Sequence, residues 1–195
     1  MPPSNKPEIL SREVIGGNFS PLERVVFRRR RTDGAMSETT REILNVDDGV
    51  AILPYDLARG TIILIRQFRG VAFLKGGSET LVEACAGKLE GADPLTRVKK
   101  ETEEETGIRL SATPRPVFVA YSSPGTFAER LHYFVAPYTE ADRIDKGGGL
   151  VEEGEDIEVI ETTLEAAIAM IERGEIIDAK TIALLYYAKA TRLLG

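Results

Sequence analysis

Two unbroken apolar runs, Val50-Ala51-Ile52-Leu53 and Ile62-Ile63-Leu64-Ile65, constrain this chain more than any other feature. Side chains alternate between faces along a strand, so a run without polar residues reads as a strand covered on both sides. Pro54, Asp56 and Gly60 supply a turn between the two runs. Neither run approaches the ~20 apolar residues that a membrane-spanning helix needs. The pair predicts a central sheet with other layers packed on each face.

Further strands are expected at Leu81–Ala84, Pro116–Tyr121, Arg130–Ala136 and Ile157–Ile160. An extended stretch from Asn18 to Arg31, a turn at Thr32-Asp33-Gly34 and a partner from Glu38 to Val46 predict an N-terminal hairpin. The four consecutive arginines, Arg28 to Arg31, read as the solvated end of a strand. Three helices are expected. The first has Asp93 as N-cap, Pro94 at its first position and Gly107 as its stop. The second opens on the capping box Thr162-Thr163-Leu164-Glu165 and ends at Arg173-Gly174, and the third runs from Asp178 to about Leu194. Interleaved strands and helices make this an α/β (α+β) layered domain with a mixed sheet.

Composition excludes several function classes. The 195 residues carry 25 basic and 31 acidic side chains, a formal net charge of −6. A nucleic-acid or anionic-membrane binder needs the opposite field, so neither partner is expected. The single histidine, His132, removes the His-based zinc signatures, and the single cysteine, Cys85, permits no intramolecular disulfide. The opening MPPSNKPEIL has no apolar segment of the secretory kind, so a cytoplasmic location is expected. Catalysis is left to carboxylates, lysines, arginines and hydroxyls.

The acids concentrate on the first helix. At ~100° per residue, Glu101, Glu104 and Glu105 share one side, beside a thin stripe of Leu95, Val98 and Thr102 that leaves Glu105 partly solvated. The plain alternative is a solvated face carrying the ion pairs Arg97–Glu101 and Lys100–Glu104. Against it, Glu103, Glu104 and Glu105 crowd the last turn, where the helix dipole makes each exposed acid cost about 0.3–1 kcal/mol. A hard divalent cation reverses that cost. Mg²⁺ takes oxygen ligands and is shared with substrate phosphates, which points to metal-assisted hydrolysis of a phosphorus anhydride.

The segment AGKLEGADP followed by KETEEETGI resembles the Nudix box, G-x5-E-x7-R-E-U-x-E-E-x-G-U with U aliphatic. Glu101, Glu104, Glu105, Gly107 and Ile108 match its second half. Lys100 replaces the arginine, Thr102 an aliphatic residue and Asp93 the first glutamate, and the Asp93–Lys100 spacing is one residue short. EACAGKLEGADP, IRQFR, SSPGTFAERLHYF, GGGLVEEGEDIEV and GEIIDAKTIALL are similar, in order, to the GDP-mannose pyrophosphatases of the Nudix superfamily.

That resemblance implies a Nudix-type α/β/α sandwich at residues 47–195, preceded by a hairpin arm at 1–46 that serves dimerisation and substrate contacts in a homodimer. It implies Mg²⁺, with Mn²⁺ as the alternative, held by the Ala86 carbonyl and by Glu101, Glu105 and Glu155, with Glu104 in the same site. Glu155, Glu152 or Glu153 would serve as general base. Arg69 would contact the diphosphate, Glu129 and Lys180 the sugar phosphate, Arg41 and Glu42 the N-terminal part of the substrate, and Phe19 the base. The implied reaction splits a nucleoside diphosphate sugar, GDP-mannose, into GMP and mannose 1-phosphate. ADP-ribose is the alternative substrate, and a non-catalytic nucleotide-binding module the alternative class. Gly147-Gly148-Gly149 is expected to be a flexible connection or the start of a mobile loop.

Overall fold

The computed structural model describes residues 6–195, with the Glu153 side chain outside the described set. The chain divides into two compact units, one of residues 6–48 with Tyr121–Arg130, the other of Gly49–Ala120 with Leu131–Gly195. The first unit thus takes in the segment 121–130 besides the N-terminal strands.

The first unit is a three-stranded antiparallel sheet rather than a two-stranded hairpin. Its strands are β1 (Glu8–Gly16), β2 (Leu22–Arg30) and β3 (Met36–Leu44), in that order. Backbone bonds from Leu44 N–H to Thr126 and from Ala128 N–H to Leu44 tie the 121–130 segment to the end of β3. In the arginine run, Arg28 pairs with Glu8 and Glu38 and Arg31 with Asp33, as a solvated strand end requires.

The second unit is built on a mixed seven-stranded sheet. Its strands are β4 (Gly49–Asp56), β5 (Thr61–Phe68), β6 (Thr80–Glu83), β7 (Cys85–Lys88), β8 (Arg115–Tyr121), β9 (Arg130–Pro137) and β10 (Glu158–Thr163). The order is β10-β5-β4-β9-β8, with β6 on β5 and β7 on β4, and β4 runs parallel to β9. The helices are α1 (Gly70–Leu74), α2 (Pro94–Thr106), α3 (Leu164–Glu172) and α4 (Ala179–Ala190).

The two apolar runs behave as their pattern dictates. Val50 to Leu53 and Ile62 to Ile65 are all buried. Alternate residues serve opposite faces: Ala51, Leu53, Ile62 and Leu64 pack with Leu164, Ala167, Leu184 and Leu185 of α3 and α4. Val50, Ile52 and Ile63 pack with Val98 of α2. The sheet is thus the middle layer between α2 and the α3–α4 pair. Among the described residues no helix is long and apolar enough to cross a membrane.

Candidate active site

Helix α2 forms where its caps predict. Asp93 accepts the N–H groups of Leu95 and Thr96, Pro94 occupies the first turn, and Gly107 ends the helix in the left-handed region. Its buried face is not the one expected. Leu95 is exposed, while Val98, Glu101, Thr102, Glu105 and Thr106 are buried. Thr102, standing where the motif has an aliphatic residue, satisfies its hydroxyl on the Val98 carbonyl. Glu101 and Glu105 are 5% and 1% exposed, so the carboxylates point toward the sheet rather than into solvent.

Strand β7 receives both. The Ala86 N–H donates to Glu105 Oε2 at 3.0 Å. A Cβ on Gly87 would lie 2.0 Å from the Glu101 carboxyl carbon and one of its oxygens, so only glycine leaves room for that group against the strand. Burial pushes Glu105 up to about 8, opposed by hydrogen bonds from Cys85 and Ala86 and reinforced by the charges of Glu101 and Glu155. Burial likewise pushes Glu101 up to about 7, against the attraction of Arg97 and with repulsion from Glu104 and Glu155.

The ion pairs Arg97–Glu101 and Lys100–Glu104 both form, at 2.5 and 3.0 Å. The first is close but misaligned: Arg97 Nε and Glu101 Oε1 are buried and lack a directed hydrogen bond. It is a charge contact that leaves a hard oxygen with unused acceptor capacity. Buried carboxylate oxygens that the protein itself under-neutralises are the donor set of a hard divalent cation, and the residues present fit one. Among the described residues, no group of three or more His, Cys, Asp or Glu side chains is already arranged to hold a metal ion, so the fit rests on the chemistry of the buried Glu101 and Glu105 carboxylates. Glu104 is half-buried on Lys100. Glu155 accepts the Leu150 N–H through Oε2 at 2.9 Å. Glu152 is exposed.

The three-glycine segment differs from its expectation as a flexible connection. Gly148 N–H donates to the Glu105 carbonyl and Gly149 N–H to the Glu104 carbonyl, at 3.0 and 3.1 Å, while Ile144 N–H binds the Gly107 carbonyl. These donors take up the carbonyls that a helix C-terminus leaves unpaired, and they soften the dipole penalty on the acids there. Gly147, at φ +66°, sits where a Cβ would meet the Glu105 carbonyl oxygen at 2.5 Å.

A second cluster lies in the same unit. Arg69, just after β5, binds Glu83 with two parallel bonds, Nε to Oε1 at 2.7 Å and Nη2 to Oε2 at 2.8 Å. Lys180, in the first turn of α4, donates to Glu83 Oε2 at 2.5 Å and lies 3.1 Å from Asp178. Thr181 anchors that turn to the strand by accepting the Ala84 N–H at 2.7 Å and donating to Asp178. Glu83 is 1% exposed, and burial alone would raise its pKa, but Arg69 and Lys180 outweigh it and hold the group below its usual value. Arg69 is held strongly protonated by Glu83, and the charge of Glu105 also acts on it. Sequence reading missed Glu83. The available signal was an acid inside the otherwise apolar strand segment Leu81–Cys85, which burial obliges to be paired.

The remaining expected residues lie in the first unit. Phe19 is fully exposed between β1 and β2. Arg41 and Glu42 are neighbours on β3, where Arg41 donates to the Thr40 carbonyl and Glu42 pairs with Arg24. Glu129 accepts a hydrogen bond from Ser122.

Fold and site together define a layered α+β domain built around an acidic helix. No protein-family model matches the chain. It is 38% identical over 192 residues to the GDP-mannose pyrophosphatase of Citrobacter koseri, covering 98% of this chain and 99% of that one. It is 36% identical over 187 residues to the protein of that name from Escherichia coli K12, covering 95% and 96% of the two chains. The crystal structure of an ADP compounds hydrolase has the same fold, with TM-score 0.73 at 17% identity over 95% of this chain and 96% of that chain. The chain belongs to the GDP-mannose pyrophosphatase family of the Nudix hydrolases.

Proposed function

We propose that this chain hydrolyses the diphosphate of a nucleoside diphosphate sugar, GDP-mannose, to GMP and mannose 1-phosphate. The observation that carries the reading is the pair of buried, under-neutralised carboxylates, Glu101 and Glu105, held against β7 beside a cationic cluster. The near-full-length similarity to proteins of that name supports the substrate.

Mg²⁺, or Mn²⁺ in its place, would be held by the Ala86 carbonyl and the carboxylates of Glu101, Glu105 and Glu155, with Glu104 alongside. When bound, the cation neutralises the diphosphate, polarises its phosphorus and makes water a competent nucleophile near neutral pH. The chain does the rest. Strand β7 and the glycine segment hold the carboxylates in place before substrate arrives, so little reorganisation is left to the reaction. Arg69 and Lys180 bind the anionic diphosphate and sugar phosphate, the guanidinium through paired N–H donors. The proton of the attacking water passes to Glu155, whose Oε1 accepts no bond among the described residues, or to Glu152 of the same segment. Phe19, Arg41, Glu42 and Glu129 are assigned to the nucleotide and sugar, and the working form is a homodimer.

Incubation with GDP-mannose, ADP-ribose and UDP-sugars in the presence of Mg²⁺ tests the reading. GDP-mannose should give the highest kcat/KM. Preference for ADP-ribose would move the chain to the alternative substrate. Binding without turnover of any of them would make it a nucleotide-sensing module.

A further inference from the structure

Glu83 is absent from every role assigned above, yet it is the most buried charge outside the acidic pair and touches both proposed phosphate-binding cations. A guanidinium carries five N–H donors in a rigid fork. Glu83 takes the side edge, the Nε and one Nη2 hydrogen, and leaves the end-on pair of Nη1 and Nη2 donors for a ligand. Among the described residues the Arg69 side chain makes no other hydrogen bond. Lys180 has three donors, of which one goes to Glu83 and one faces Asp178, so one remains. A single carboxylate thus fixes the direction of both cations while leaving each with a free donor. Thr181 and Asp178 lock the start of α4 to the strand that carries Glu83, so the arrangement does not depend on a flexible lysine finding its place.

We infer that Glu83 is a positioning residue that presents the Arg69 end-on fork and the Lys180 ammonium as one preformed clamp for the diphosphate of the substrate. The inference rests on the proposed hydrolase activity. It also fixes the sign of an effect on which two simpler roles disagree. If Glu83 merely screened the two cations, removing its charge would strengthen their hold on an anion. If it merely filled space, removal would lower stability and leave substrate affinity alone. As a positioning group, its loss weakens binding although the site becomes more positive.

The test is Glu83→Gln, which keeps the volume but replaces one acceptor oxygen with a donor facing the guanidinium. With Mg²⁺ and GDP-mannose, KM should rise by at least ~10-fold, the scale of a lost charge-assisted bidentate pair, while kcat changes far less. In an Arg69→Gln background the same change should add less than about 2-fold, since most of its effect acts through that arginine. A lower KM would establish screening and overturn the inference. Unchanged KM with a lower melting temperature would establish a structural role and also overturn it. Should Glu83→Gln fail to fold, ¹⁵N NMR of the unsubstituted protein decides: the Arg69 Nε–H should exchange with water at least ~10-fold more slowly than a free guanidinium, as a hydrogen-bonded group does. Free exchange would overturn the clamp. Failure of the functional reading looks different, because the unsubstituted protein would then turn over no nucleoside diphosphate sugar, and the inference would fall with it.

Discussion

Among the described residues, three glutamates at the candidate site are almost fully buried, and they have opposite electrostatic fates. Glu83 receives a bidentate arginine and a lysine, and its carboxyl is held below its usual value. Glu101 and Glu105 receive a misaligned arginine, a thiol and one backbone N–H, and they are pushed up to about 7 and about 8. Residue type and burial are the same, so the difference lies in what the protein supplies. At Glu83 it supplies the whole counter-charge. On α2 the Arg97 guanidinium at Glu101, and a thiol and one N–H at Glu105, do not offset burial, and buried charge left so incomplete is a mark of function rather than of stability.

The contrast is broken most severely by Glu105→Gln. It removes a proposed ligand while easing the cost of burying a charge, so kcat should fall about 10²–10³-fold with the fold intact. The metal-free variant should melt no lower than the unsubstituted protein at pH 8. Activity within a few-fold of the original would remove Glu105 from the site. Next comes Gly87→Ala. Its methyl would sit 2.0 Å from the Glu101 carboxylate and must push it off β7, so turnover should drop by up to ~100-fold, the scale of an ångström-sized misplacement. Kinetics and Mg²⁺ affinity measured together would show whether the loss tracks the displaced ligand.

The two regions also predict opposite pH slopes for stability. Glu101 and Glu105 hold protons in the folded state above their ordinary value of 4.5, so the unfolded chain binds fewer protons between pH 4.5 and about 8. Metal-free stability should therefore fall as pH rises through that window. Glu83, lowered in the folded state, contributes stability above pH 4.5 that is lost only as pH falls below it. Melting curves from pH 4 to 8, with and without Mg²⁺, should show the first slope disappear on metal addition. The smallest effect is expected at Asp93→Ala, which removes the α2 N-cap far from the acids. About 1 kcal/mol, or ~2–4 °C in Tm, should be lost with kcat nearly unchanged.

Much of this was legible in the sequence, where local chemistry is explicit. The runs at 50–53 and 62–65 announced buried strands, and Asp93, Pro94 and Gly107 marked the ends of α2 to the residue. Strand β1 escaped because its sequence, EILSREVIG, is mostly exposed and carries no apolar alternation. Strand β7 escaped because four residues containing Ala-Gly carry no strand propensity, although its backbone cradles the acids. The buried face of α2 was misread at Leu95 because hydrophobicity was followed, whereas the structure turns Thr102, Glu101 and Glu105 inward. The glycine segment looked mobile because backbone N–H groups that cap a helix leave no trace in side-chain chemistry.

The central claim is that Glu101 and Glu105 await a divalent cation. Calorimetric titration of the metal-free protein with Mg²⁺ tests it most directly, at pH 6 and pH 8 in buffers of differing ionisation enthalpy. Ligating carboxylates must first lose their protons, so binding should be tighter at pH 8 and should release protons at pH 6. Affinity independent of pH, with no proton release, would contradict the account.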